Sequence, residues 1–271
     1  MLYRIPEEFH AVDAHNHVWL KDGRLDENRM RDMLAAAETL GIEKICVSTP
    51  LLSPAPSADE VRAANDAVLR AMRLDGRLLG FCFVDAALGA QAVAEIDRCV
   101  IDHGMCGIKL YHQHKLQDRV QDPVMRRAAE LGIPVLMHAG CYRNADTLAR
   151  GPLTSHAGDF LEALEVWPET MFIEAHIGGG GDWQWILRTL EEVRSDNFWI
   201  DISGTVHDAG IVRATIDAVG IDRVLFATDG SFETSVAKLL AAGLDREAML
   251  KITSGNFARI MARRNREVKH V

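Results

Sequence analysis

The sequence predicts a single-domain α/β protein, a (β/α)8 TIM barrel over residues 1–271, on three observations. Short apolar runs alternate eight times with longer amphipathic ones. The short runs are rich in Ile, Val, Leu and Phe, as parallel strands buried on both faces are. Several helical segments end at a glycine just before the next run, at Gly41, Gly104, Gly132 and Gly220, the residue that most readily terminates a helix. Repeated strand–helix units imply parallel strands joined by crossover helices, and eight of them in 271 residues match a closed barrel. An open doubly wound sheet is the competing architecture, but the first strand lacks the Gly-x-Gly-x-x-Gly turn that would support it.

In chain order, strands are predicted at 11–18, 44–50, 78–85, 106–112, 134–140, 171–178, 198–204 and 223–230. The first helix is read from Met30, Met33, Leu34, Ala37 and Leu40, spaced three and four apart ahead of Gly41. Further helices are predicted at 59–74, 90–103, 120–131, 158–166, 183–194 and 209–219. A closing helix follows at 232–242, with extra helical turns at 245–251 and 255–264. Residues 50–56 form a proline-bearing loop, 141–156 a longer loop placed to cover the barrel mouth, and 265–271 a frayed tail. No linker, low-complexity tract or charge block marks a second domain.

The composition is that of an ordinary globular protein, 48% hydrophobic and 25% charged. A net charge of -9 and a pI near 5.7 argue against a nucleic-acid or anionic-membrane surface, because phosphate binding needs clustered Lys and Arg. The five cysteines, Cys46, Cys82, Cys99, Cys106 and Cys141, form no Cys-x-x-Cys pair. They read as reduced core residues, and with no apolar signal core in residues 1–7 a cytoplasmic location is expected. No apolar run approaches a membrane span.

The polar residues gather where barrel enzymes keep their chemistry, at the C-terminal ends of the strands. The first strand carries Asp13-Ala14-His15-Asn16-His17. Alternation places Asp13, His15 and His17 on one face, with the imidazoles roughly 6–7 Å apart and able to converge on one ion. One such pair is equally well explained as hydrogen-bonded core histidines. The other strand ends decide the matter. Lys109, His112 and His114 lie on and after strand four, His138 ends strand five, Glu174 and His176 end strand six, and Asp229 ends strand eight. Four histidines and an aspartate at one level of a barrel are costly to bury unpaired. A divalent cation removes that cost, since imidazoles and a carboxylate are ligands that zinc prefers.

Together Asp13-Ala14-His15-Asn16-His17, His138, Glu174-Ala175-His176-Ile177-Gly178-Gly179, Ala227-Thr228-Asp229 and Gly255-Asn256-Phe257-Ala258-Arg259-Ile260 resemble the amidohydrolase superfamily. The resemblance is nearest to its amidohydrolase-related branch, which includes aminocarboxymuconate-semialdehyde decarboxylase. It implies that His15, His17, His138 and Asp229 are metal ligands and that His176 moves protons in single-metal members. In two-metal members the residue matching His176 is a ligand, and a carbamylated strand-four lysine bridges the ions. Lys109 is therefore the ambiguous position, open to an ion pair with Glu174, Asp201 or Asp13, to a substrate carboxylate, or to the bridge. Glu174 and Asp201 are expected to face inward and to keep Lys109 charged, which favours one ion and an unmodified amine.

The expected activity is hydrolysis of an amide, lactone or ester bond in a small carboxylated substrate. It would use a metal-activated water, with Asp229 or His176 as proton acceptor. The alternative is a lyase, non-oxidative decarboxylation at the same site with His176 protonating the carbon. The expected cofactor is one zinc ion, with manganese as the other candidate. Lys109, His112 and Arg143 are the substrate-binding candidates. Tyr111, His114 and His207 are weaker pocket candidates, and Trp183 and Trp185 read as helix core. Ser203 and Ser231 sit in no Gly-x-Ser-x-Gly elbow. The partner is a small molecule, without nucleic acid or membrane, and homo-oligomers are the one association left open. A non-catalytic metal protein would have no need of both His176 and Asp229, and phosphoester cleavage of DNA is disfavoured by the acidic charge.

Overall fold

Eight parallel strands lie side by side in the order in which the chain makes them. The structure is a computed structural model and describes residues 3–140, 153–177, 183–204, 206–208 and 210–264. The strands are β1 (Ala11–His17), β2 (Ile42–Ser48), β3 (Leu78–Phe83), β4 (Gly107–Leu110), β5 (Pro134–His138), β6 (Met171–Ala175), β7 (Phe198–Asp201) and β8 (Val224–Leu225). The seam between β8 and β1 is made by the Ala14 amide donating to the Phe226 carbonyl at 3.0 Å and the Asp229 amide to the His15 carbonyl at 2.8 Å. This is the predicted TIM barrel.

The helices are α1 (Glu27–Leu40), α2 (Ala58–Leu74), α3 (Ala90–Asp97), α4 (Asp122–Leu131), α5 (Ala157–Val166), α6 (Trp183–Leu190), α7 (Ile211–Val219) and α8 (Phe232–Ala241), then α9 (Arg246–Leu250) and α10 (Asn256–Ala262). Their starts follow local chemistry: Asp26 accepts from the Arg29 amide ahead of α1, and Ser57 with Glu60 forms a capping box on α2. Predicted helix 90–103 is α3 continued by a π-helical turn over Arg98–Asp102. A hairpin of Leu20–Lys21 against Arg24–Leu25 was not expected. Asp22-Gly23, both at positive φ, turn it, and Asp-Gly between short strands is the signal that would have found it.

The strand residues sort into two layers. Ile45, Val47, Ile108, Val135, Met137, Phe172, Phe198 and Ile200 face the helices. Ala14, Cys46, Phe81, Leu136, Ile173, Ala175, Trp199 and Leu225 fill the barrel, with Phe257 and Ile260 of α10 packed against them. Gly107 belongs to the inner layer, where a Cβ would stand 2.3 Å from the Phe81 ring, so only glycine leaves room for that ring. Lys109, two residues on and fully buried, occupies the next inner layer. Cys46, Cys82, Cys99 and Cys106 are free and buried. Among the described residues no helix is long and apolar enough to cross a membrane.

Candidate active site

His15, His17 and Asp229 meet at the β1–β8 seam. The Nε2 atoms of His17 and His15 lie 3.0 and 3.7 Å from Asp229 Oδ1. Ligand atoms bound to one ion at about 2.0–2.1 Å in a tetrahedron stand roughly 3.3 Å apart, and these distances bracket that figure. Among the described residues two groups of three place all ligand atoms within 4.8 Å of one another: His15, His17 and Asp229, and His15, His176 and Asp201. The donor set therefore fits a divalent cation.

The rings are also oriented for it. Asp201 Oδ2 accepts from His15 Nδ1 at 3.0 Å, which leaves the His15 Nε2 lone pair facing the site. His17 Nδ1 is held by Ser48 Oγ at 3.1 Å. Burial lowers His15 to about 3, aided by the charge of Lys109, so the ring is neutral. Burial pushes Asp229 upward, but His15, His17 and His176 more than offset it and hold the carboxyl well below the usual range. Asp201, buried more deeply than Asp229, is pushed upward by that burial but brought down to about 2, chiefly by His15. Two ionised carboxylates and neutral imidazoles are what a cation requires.

His176 projects into the same space because the chain leaves the strand there. It has φ 78°, one residue past the end of β6, and Asp229 has φ 46°. Both are positive φ values in non-glycine residues, a strained geometry that clusters at functional sites. His176 Nε2 lies 3.1 Å from His138 Nδ1 and 3.7 Å from Asp229 Oδ2. Its Nδ1 contacts Ser203 Oγ at 2.9 Å. Burial lowers the pKa of His176, and burial together with the His176 and Lys109 charges lowers that of His138 much further. His138 lies outside the three-residue group, its ring centroid 5.0 Å from that of His176 and 4.6 Å from that of Tyr111.

Lys109 Nζ donates to His15 Nε2 at 2.9 Å, on the floor of the site. Burial brings its pKa down to about 8 against the pull of Asp229 and Asp201. Lys109 and Asp201 thus face inward as expected, and Glu174 does not. Ile173 and Ala175 belong to the inner layer, so Glu174 between them points to the helices with Phe172. The extrapolation from His176 failed because positive φ at His176 ends the strand and resets the alternation. Asp13 also departs from the expected face, since β1 is irregular between Asp13 and Asn16. Its carboxylate accepts from Thr228 N and Oγ1 at 2.9 and 2.6 Å and from Asn16 Nδ2 at 2.9 Å, which ties β1 to the end of β8. Burial raises it to about 7 while those donors pull the other way.

The remaining candidates are placed as follows. His112 Nε2 sits 3.4 Å from the Leu52 carbonyl and its ring lies on Tyr111, while His114 binds Asp85 at 3.0 Å. Arg143 lies outside the described residues. Trp183 donates to Asp208 at 2.6 Å, and Trp185 is 68% exposed rather than core. Sequence reading missed Ser48 and the part Ser203 plays; each sits at a strand's C-terminal end, the position that marks site residues in such barrels.

The family model for amidohydrolases matches residues 12–261. No curated protein matches the chain in sequence. Among solved structures, the chain is similar to 2,6-dihydroxybenzoate decarboxylase from Rhizobium, with a TM-score of 0.74 at 17% identity, covering 93% of this chain and 98% of that one. A dihydroxybenzoic acid decarboxylase from Polaromonas, with bound manganese and the inhibitor 2-nitroresorcinol, gives a TM-score of 0.71 at 17% identity, covering 96% and 99%. 4-Oxalomesaconate hydratase from Rhodopseudomonas palustris gives 0.71 at 18%, covering 93% and 96%. The likeness shows the fold, and the match across nearly the whole chain shows the family: this protein belongs to the amidohydrolase family, as the strand-end motifs implied.

Proposed function

We propose that this protein is a metal-dependent lyase that removes carbon dioxide, without oxidation, from a small aromatic or unsaturated carboxylic acid. The observation that carries the reading is the setting of His176. Its Nε2 converges with Asp229 and His138 on the space beside the three-residue cation group, while its Nδ1 is engaged by Ser203. Support also comes from decarboxylases that share the fold, one of them holding manganese.

His15, His17 and Asp229, with His138 as the fourth candidate, would hold one divalent ion, zinc or manganese. When bound, the ion supplies positive charge that polarises substrate oxygens and offsets developing negative charge. Lys109 supplies a buried cation at the floor, matched to a substrate carboxylate or phenolate. Nε2 of the neutral ring first takes up a proton from solvent; the carbon–carbon bond to the carboxylate then breaks, its electron pair takes that proton, His176 returns to its neutral form, and carbon dioxide leaves. Asp229, 3.7 Å from that nitrogen, stabilises the imidazolium that carries the proton.

A second reading, hydrolysis of an amide, lactone or ester, is supported by the family match and by the ionised Asp229, which can accept a proton from water. The test is to load the protein with zinc or manganese, supply hydroxybenzoates and dienoic acids, and measure released carbon dioxide, with carboxylated lactones and amides in parallel. Hydrolysis of the latter with no carbon dioxide from the former would replace the lyase reading by the second.

A further inference from the structure

Ser203 has no place in a nucleophile elbow, yet it is fully buried and its hydroxyl stands between two site residues. Asp201 Oδ1 accepts from the His176 amide at 3.1 Å and the Ser203 amide at 2.9 Å, and also from the Ser203 hydroxyl. Asp201 Oδ2 accepts from His15 Nδ1. A carboxylate that receives four such bonds is an acceptor at every one of them. The single Ser203 proton is therefore committed to Asp201, and toward His176 the hydroxyl oxygen can only accept. The 2.9 Å contact then requires the hydrogen to sit on His176 Nδ1, leaving Nε2 with its lone pair. The same reasoning makes His138 Nδ1 the donor in its 3.1 Å contact with that nitrogen.

The Ser203 position is itself held from outside the barrel. Lys238 of α8, buried beneath the β7 loop, donates to the Gly204 carbonyl at 3.1 Å and reaches the Ser203 carbonyl at 3.5 Å. Gly204 has φ 92°, and a Cβ there would stand 3.1 Å from His176 Cβ, so the loop lies flat against the imidazole.

We propose that Ser203, clamped between Asp201 and Lys238, is the positioning residue that fixes His176 as its Nδ1–H tautomer and so reserves Nε2 for proton transfer. One carboxylate, Asp201, would then set the tautomer of both His15 and His176. The proposal rests on the reading of His176 as the proton carrier, and its principal readout does not depend on that reading.

The experiment is a two-bond proton–nitrogen correlation of the histidine rings in 15N-histidine-labelled protein near pH 8, above the ordinary imidazole range of about 6.5. It is run on zinc-loaded protein and again after chelation, with His176 assigned by its absence from His176→Asn. The Nδ1–H pattern is expected for His176 in the wild type and in Ser203→Thr, with and without zinc. Ser203→Ala is expected to show the Nε2–H form or a mixture, and to lose about 10- to 100-fold in kcat with KM within about two-fold, as removal of a group acting in the transition state does. Ser203→Thr, which keeps the hydroxyl, is expected to restore activity. An Nε2–H pattern in the wild type, or an unchanged Nδ1–H pattern in folded Ser203→Ala, overturns the proposal. The wild-type spectrum decides even if Ser203→Ala does not fold. Should His176→Asn keep full turnover, the proton-transfer reading fails while the tautomer result stands by itself.

Discussion

The Asp229 backbone amide donates to the His15 carbonyl at 2.8 Å, so the bond that helps close the barrel also places two candidate ligands side by side. Site and seam are one construction. Asp13 and Thr228, one step below, brace it through two hydrogen bonds, and Asn16 bridges both side chains.

This brace makes Thr228 a stability determinant. Thr228→Val removes the hydroxyl that donates to Asp13 and accepts from Asn16, leaving one buried Asn16 N–H without its acceptor and Asp13 Oδ2 with Asn16 alone. A loss of about 1–3 kcal/mol is expected, read from urea denaturation with an unchanged m-value. A loss below about 0.5 kcal/mol, the range of an ordinary surface change, would show that the seam does not depend on this contact.

Metal content is the second prediction. Wild-type protein is expected to retain one ion per chain after dialysis, and His15→Ala or Asp229→Ala to retain almost none, measured by elemental analysis. Lys109 is expected to be an unmodified amine, because with its pKa near 8 it stays largely protonated at neutral pH. Crystallographic density running from Lys109 Nζ to two ions about 3.5–4 Å apart would refute both expectations.

His176→Asn should preserve fold and metal and lower turnover by about 10²–10⁴-fold, the usual worth of a positioned proton donor. Circular dichroism and metal analysis accompany the assay, since a variant that loses the ion as well would place His176 among the ligands.

Glu174 gives a pH-dependent prediction away from the chemistry. It is buried on the helix side, with Oε2 unpartnered among the described residues, and burial, reinforced by Asp201 and Asp159, holds its carboxyl well above the ordinary value of 4.5. As pH rises past 4.5, the unfolded chain releases this proton while the folded protein keeps it, so Glu174 lowers stability increasingly with pH. Glu174→Gln cannot ionise and removes that slope. Its Tm should exceed that of the wild type by more near pH 8 than near pH 5. Equal differences at the two pH values would show that Glu174 is already ionised in the fold.

The sequence by itself determined the eight strand–helix units, the end of the barrel that carries polar residues, and the histidine and aspartate positions that meet there. These are local patterns: buried parallel strands must be apolar on both faces, so a histidine or aspartate at a strand end stands out whatever its partners. Only the tertiary structure decided where the side chains point once the strand stops. Alternation holds at Lys109 and Asp201 within strands and fails at Glu174, because positive φ at His176 starts a new direction. The structure likewise brought Ser48 to His17 and Ser203 to His176 from neighbouring strands. Barrel closure, which no local spacing encodes, brought Asp229 to His15 from opposite ends of the chain.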